Sequence, residues 1–130
     1  MKKLFLFIAS IALFSCIVEN ERYNEIEVQI INDTDSKVDS ISLYVYMGNY
    51  YLCDSVSLKD VNPNTEKTIL WSDVNTCNSD GAFLIKAFYN DTILEKSYGY
   101  YTNGILLDDK ITISIFSDSL VISSVVKKLN

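Results

Sequence analysis

The sequence predicts an all-β fold, a single small antiparallel β-sandwich of about seven or eight strands. Three observations lead there. Apolar and polar residues alternate with period two through most of residues 25–130, the mark of strands that rest one face on a core. Clusters of Asn, Asp, Ser and Gly recur about every eight to twelve residues, the rhythm of turns between short strands. No segment of that stretch carries an apolar stripe at helical spacing.

The elements follow in order. Ile26, Val28 and Ile30 share one face of a first strand, opposite Glu25, Glu27 and Gln29. Asn32-Asp33-Thr34-Asp35-Ser36 is a turn cluster whose short polar side chains bond to nearby backbone. A second strand over 38–47 sends Ile41, Leu43 and Val45 inward and Ser42, Tyr44 and Tyr46 outward. Gly48-Asn49 turns the chain into a third strand, expected over about 50–58. Asn62-Pro63-Asn64 is a loop, because proline lacks the N–H that a central strand needs. A short strand is expected over 68–71, then a long polar loop through Asp80-Gly81. Residues 82–89 give the clearest strand pattern, and Asn90-Asp91 turns it tightly into another over 92–101. Asn103-Gly104 is the dipeptide most typical of a two-residue type I′ turn. Ile111, Ile113 and Ile115 line the inner face of the penultimate strand, and Asp118-Ser119 leads into the last, over 120–126. Trp71 falls only six residues before Cys77, so the immunoglobulin cysteine–tryptophan–cysteine spacing is absent. "Immunoglobulin-like" or "transthyretin-like" therefore describes the expected architecture and not a family.

The first residues are of another kind. Lys2 and Lys3 precede an apolar run from Leu4 to Phe14 that only Ser10 interrupts. That run is too short to span a bilayer core, which takes about 20 apolar residues, and it reads as an export signal. Leu13-Phe14-Ser15-Cys16 then resembles the lipobox of bacterial lipoprotein precursors. The resemblance implies diacylglycerol on the Cys16 sulfur and cleavage after Ser15. Two or more acyl chains hold a protein stably at a bilayer where one holds it marginally. The chain thus divides into a signal peptide at 1–15, an acidic polar tether at 16–24 with Glu19, Glu21 and Arg22, and a sandwich domain at 25–130.

Charge narrows the partners. The chain carries a formal charge of −6, and losing Lys2 and Lys3 with the leader takes it to −8. An acidic domain with no basic cluster is unsuited to nucleic acid, whose affinity rests on Lys and Arg neutralising phosphates. It also lacks a polybasic grip on anionic lipid, which leaves anchoring to the acyl chains. With Cys16 lipidated, Cys53 and Cys77 remain as a pair in an exported, oxidising setting. A bridge between them would close a loop of about 25 residues, worth about 3.5 kcal/mol in the loop-entropy model. Two separate buried thiols are the alternative.

Catalytic chemistry finds little purchase. There is no histidine, which removes Ser–His and Cys–His nucleophilic catalysis and every His-containing zinc site. Four glycines stand singly, so no phosphate-cradling loop is present. Asp33, Asp35 and Asp39 superficially resemble a calcium loop, but Val38 and Tyr44 occupy the places where an EF-hand needs glycine and glutamate. Asp108-Asp109 and Asp33/Asp35 read as solvated turn residues. No catalytic residue, metal or cofactor is expected. A carboxylate-based hydrolase would need two acids about 5–10 Å apart in a cleft.

Tyrosine is the conspicuous enrichment, with nine residues. Tyr44, Tyr46 and Tyr50 are expected outside one sheet, and Tyr98, Tyr100 and Tyr101 crowd the strand before Asn103-Gly104. Exposed tyrosine offers rigid amphipathic contact area, although it is also a good strand former.

The lipobox, the asparagine-rich turns and Tyr98-Gly99-Tyr100-Tyr101-Thr102-Asn103-Gly104 together resemble uncharacterised small lipoproteins of the Bacteroidota. That resemblance implies lipid anchoring at the outer membrane, on its periplasmic or surface face. It also implies O-glycosylation where aspartate precedes Ser or Thr and an apolar residue. The pattern occurs at Ser40, Ser55, Thr92 and Ser119. The expected function is a non-enzymatic binding or structural module of the cell envelope, its partner protein or glycan. An inhibitor or immunity-type lipoprotein that blocks one enzyme or toxin is the alternative.

Overall fold

A computed structural model describes residues 24–48 and 51–128. It contains eight strands: β1 (Ile26–Asn32), β2 (Val38–Met47), β3 (Tyr51–Val61), β4 (Thr65–Trp71), β5 (Gly81–Tyr89), β6 (Thr92–Tyr101), β7 (Asp108–Ile115) and β8 (Leu120–Val126). They form two four-stranded sheets, ordered β4-β1-β7-β8 and β3-β2-β5-β6. The chain is an all-β sandwich. All pairs are antiparallel except β1 with β7, which run parallel in the centre of their sheet.

The period-two pattern explains the layers. Ile26, Val28 and Ile30 of β1 and Ile111, Ile113 and Ile115 of β7 turn inward, facing Ile41, Leu43 and Val45 of β2 and Phe83, Ile85 and Ala87 of β5; all are buried. Central strands of both sheets thus supply the core, and β-branched side chains suit a pleated surface. β3 and β4 run longer than expected because their pairing with β2 and β1 continues to the loop at Asn62–Asn64. The β5–β6 hairpin closes on Asn90 and Asp91, with φ of 46° and 58°, the left-handed pair that a type I′ turn requires. Asn103-Gly104 is also a left-handed pair, with φ of 50° and 77°. It closes only an isolated bridge between Thr102 and Ile105 rather than two long strands.

The sheets are fastened at their ends by polar contacts. Asn32, buried at the end of β1, donates from Nδ2 to the carbonyls of Ser36, Val61 and Asn62 at 2.9, 2.9 and 3.1 Å. Its Oδ1 accepts the Thr34 N–H at 3.0 Å and lies 2.7 Å from the Thr34 hydroxyl. One amide therefore ties the β1–β2 turn to the β3–β4 loop. Cys53 and Cys77 are joined in a disulfide, with Cα atoms 5.6 Å apart, which fixes β3 to the long loop before β5. Asp108 is a correction: it is buried at the start of β7 and accepts the Ser124 hydroxyl at 2.7 Å, where a solvated turn residue was expected. Pairing of β7 with β8 covers it.

Candidate functional site

The outer face of the β3-β2-β5-β6 sheet carries most of the residues singled out in the sequence. Register fixes its rows. Lys59, Ser40, Phe88 and Ile93 lie across one end, followed by Ser57, Ser42, Lys86 and Glu95. Ser55, Tyr44, Leu84 and Ser97 form the next row, and Leu52, Tyr46 and Ala82 the last. Successive outward positions on one strand put Tyr44 and Tyr46 side by side, ring centroids 6.1 Å apart and tilted by 42°. Both are half-buried, so the rings are held by their neighbours and keep one edge in water. Tyr50 lies outside the described residues, as do Cys16, the leader and the tether up to residue 23.

A one-residue irregularity builds the rest of the site. Phe83 pairs with Tyr98 and Gly81 with Tyr101, so β6 carries an extra residue between them. Gly99, at φ +69°, takes the strained position; a bulge of this kind re-aims side chains. Tyr98 and Tyr101 consequently both point inward although three positions apart, and Tyr100 is turned out, 53% exposed. Tyr101 packs edge-on to Phe83 with centroids 6.2 Å apart. Its hydroxyl donates to the Tyr46 carbonyl at 2.7 Å. Burial pushes the Tyr101 phenol above its ordinary value, which keeps it protonated as that donor. A Cβ at Gly81 would overlap both the Tyr46 carbonyl oxygen and the Tyr101 hydroxyl, so only glycine lets the three strands close up here.

The result is a shallow concavity of about 400 Å³ between Tyr46, Leu84 and Ala82 on its floor and Tyr100, Ser97 and Asp80 at its rim. Asp80 has a structural task. It accepts the Asn103 N–H at 2.7 Å and the Thr102 hydroxyl at 3.0 Å. The Asn103 N–H, then the Tyr100 and Thr102 hydroxyls, hold its carboxyl below its ordinary value. The same turn is gripped from the other side, where the Gly104 N–H bonds the Ser79 carbonyl and the Thr76 hydroxyl bonds the Gly104 carbonyl. Asn103-Gly104 thus acts as a buttress that steadies Tyr100. At the neighbouring row Lys86 pairs with Glu95 at 2.8 Å. The hydrogen bond that Lys86 donates to Glu95 raises the lysine above its ordinary value. The patch can offer aromatic and apolar contact with a few polar groups around it. Among the described residues it presents no nucleophile–base pair.

The remaining candidates are dispersed. Ser40 sits half-buried on β2 in the row at one end of the face, while Ser55, exposed on β3, donates its backbone N–H to the Asp54 carboxylate at 2.7 Å. Thr92 begins β6 after the Asn90-Asp91 turn, and Ser119 lies in the β7–β8 turn bonded to Asp118 at 2.9 Å. Both of these hydroxyl-bearing residues are exposed. Asp33, Asp35 and Asp39 face solvent. Among the described residues, no three His, Cys, Asp or Glu side chains gather as a metal site. A second concavity, about 350 Å³, lies on the other sheet between Glu25, Glu27, Leu70 and Asp109 and is acidic in character. Sequence reading missed Leu84, Tyr100 and Asp80 as parts of one patch. A signal was present, since glycine inside a tyrosine-rich strand marks a bulge.

No protein-family model matches the chain, and neither does any curated protein. Among solved structures, a structure of pneumolysin superposes with a TM-score of 0.37 at 11% identity, over 81% of this chain and 24% of that one. The chain thus spans about a quarter of the length of that structure.

Proposed function

We propose that this chain is a lipid-tethered, non-enzymatic binding module of the bacterial cell envelope that meets its partner with the tyrosine face of the β3-β2-β5-β6 sheet. In this reading residues 1–15 direct export and Cys16 takes the acyl chains. The sandwich then hangs from the outer membrane by a short acidic tether, as the likeness to small Bacteroidota lipoproteins implies. The observation that carries the binding role is the concavity lined by Tyr46, Leu84 and Tyr100, with the Tyr44 ring packed beside that of Tyr46. Tyrosines held by their neighbours lose little conformational freedom on contact, which favours their use at interfaces.

The test is a double substitution, Tyr44→Ser with Tyr46→Ser, in the full chain expressed in its own host. Crosslinking on intact cells should capture its protein or glycan partner at least tenfold less than with the native chain, while the circular-dichroism spectrum keeps its β signature. Substituting Thr112 and Thr68 on the opposite sheet should leave capture unchanged. Equal capture by the tyrosine variant would remove this face as the binding surface. The inhibitor reading draws support from the acidic concavity of Glu25, Glu27 and Asp109. It is favoured if the captured partner is a single basic protein in stoichiometric amount whose binding survives the tyrosine changes.

A further inference from the structure

The four sheet edges are unlike one another. β3 carries Asp54, Lys59 and Asp60, β4 carries Glu66 and Lys67, and β6 carries Glu95 and Lys96. Charges along an edge discourage pairing with a further strand. β8, reading Leu-Val-Ile-Ser-Ser-Val-Val, holds neither charge nor proline.

Its backbone is also turned the right way. At one end the Phe116 N–H bonds the Ser119 carbonyl, and at the other the Lys127 N–H bonds the Leu107 carbonyl. Alternation along an antiparallel ladder then directs the main-chain groups of Leu120, Ile122 and Ser124 away from β7. The one-residue shift in β7 between Asp108 and Lys110 extends this to Val126. In agreement, the Leu120 carbonyl reaches off the sheet to accept Lys96 Nζ at 3.0 Å. Val121 and Val125 stand on the outer face, 53% and 58% exposed, with Ser123 between them.

We infer that β8 pairs antiparallel with β8 of a second copy of this chain, about a two-fold axis at Ser123. In that register Leu120 faces the second copy's Val126 and Ile122 faces its Ser124, forming about eight main-chain hydrogen bonds once Lys96 Nζ gives up the Leu120 carbonyl to the second copy's Val126 N–H. Val121 meets the second copy's Val125 as a closely spaced cross-strand pair, so exposed valines cover one another. Just beyond the strand, Asp118 comes opposite the second copy's Lys128. The two ends of β8 are therefore complementary in charge when the strands run antiparallel. A parallel in-register pairing would set Asp118 against Asp118. The joined eight-stranded sheet ends on β4 at both sides, where Glu66 and Lys67 stand, so growth stops at a closed dimer.

A cysteine at the axis tests the register. In the full chain, exported so that Cys53 and Cys77 are already bridged, Ser123→Cys places two Cβ atoms about 4.5–5.5 Å apart, close to disulfide range. A covalent dimer should appear on a non-reducing gel at ten or more times the yield of Thr68→Cys on β4. Charge exchange supplies a second readout. Asp118→Lys should weaken the dimer about tenfold in sedimentation of the detergent-solubilised chain, and adding Lys128→Asp should restore it. A Ser123→Cys chain that dimerises no more than Thr68→Cys would overturn the inference. So would a double exchange that recovers nothing.

Discussion

Replacing Asn32 with alanine should lower the free energy of unfolding by about 3–4 kcal/mol, the largest loss expected from any single polar substitution in this fold. The side chain has no solvent exposure, yet it is fully employed. Truncation would leave the Thr34 N–H without its acceptor and the Val61 carbonyl without its side-chain donor, while the Ser36 and Asn62 carbonyls would each lose one donor and keep the Thr34 and Thr65 hydroxyls. Orphaned buried polar groups cost about 1–3 kcal/mol each, and entering water recovers part of that. Asn32→Asp should be no milder at neutral pH, because a carboxylate has no N–H to offer and would face three carbonyl oxygens. Urea unfolding followed through Trp71 fluorescence would measure both, with an unchanged slope showing that stability alone has moved. A loss under 1 kcal/mol for Asn32→Ala would mean that the turn and the loop hold together without it.

Removing the Cys53–Cys77 bridge ranks next. The cross-link joins residues 24 apart in sequence, and closing such a loop in the unfolded chain is worth about 3.5 kcal/mol. Cys53→Ser with Cys77→Ser should therefore lower the melting temperature by about 10–20 °C. Reductant added to the native chain should reproduce most of that fall. The tyrosine face is expected to suffer as well. β3 supplies Leu52 and Ser55 to it, and the loop held by Cys77 supplies Asp80, which steadies the turn beside Tyr100. A double variant that melts within about 3 °C of the native chain would show that the bridge constrains little that the sheets do not already fix.

Much of this architecture is legible in the sequence because one physical rule governs it. Where a strand buries one face, apolar residues recur at every second position, and Ile26-Val28-Ile30, Ile41-Leu43-Val45 and Ile111-Ile113-Ile115 all obey. Local turn chemistry was equally readable at Asn90-Asp91, whose left-handed pair closes a hairpin. What escaped the sequence was tertiary. Parallel pairing of β1 with β7 joins segments about eighty residues apart, and alternation along a strand says nothing about its neighbour. Asn32 looked like one more turn residue bonding to nearby backbone. Its reach to Val61 and Asn62 exists only once two loops are brought together. The candidate site was half visible in the same sense. Tyr44 and Tyr46 were placed outward by simple alternation. Tyr98, Tyr100 and Tyr101 were separated into inward and outward members only by the bulge at Gly99, which breaks the alternation. Cys53 and Cys77 lay between these cases, since arithmetic paired them and folding brought their Cα atoms to 5.6 Å.

The reading of this chain as a tethered module stands or falls on chemistry at Cys16. Intact-mass spectrometry of the protein extracted from membranes of its own host addresses that directly. The expected species begins at Cys16, carries at least two acyl chains, and partitions into detergent. A chain recovered from the soluble fraction with that thiol unmodified, or with residues 1–15 still attached, would contradict the account.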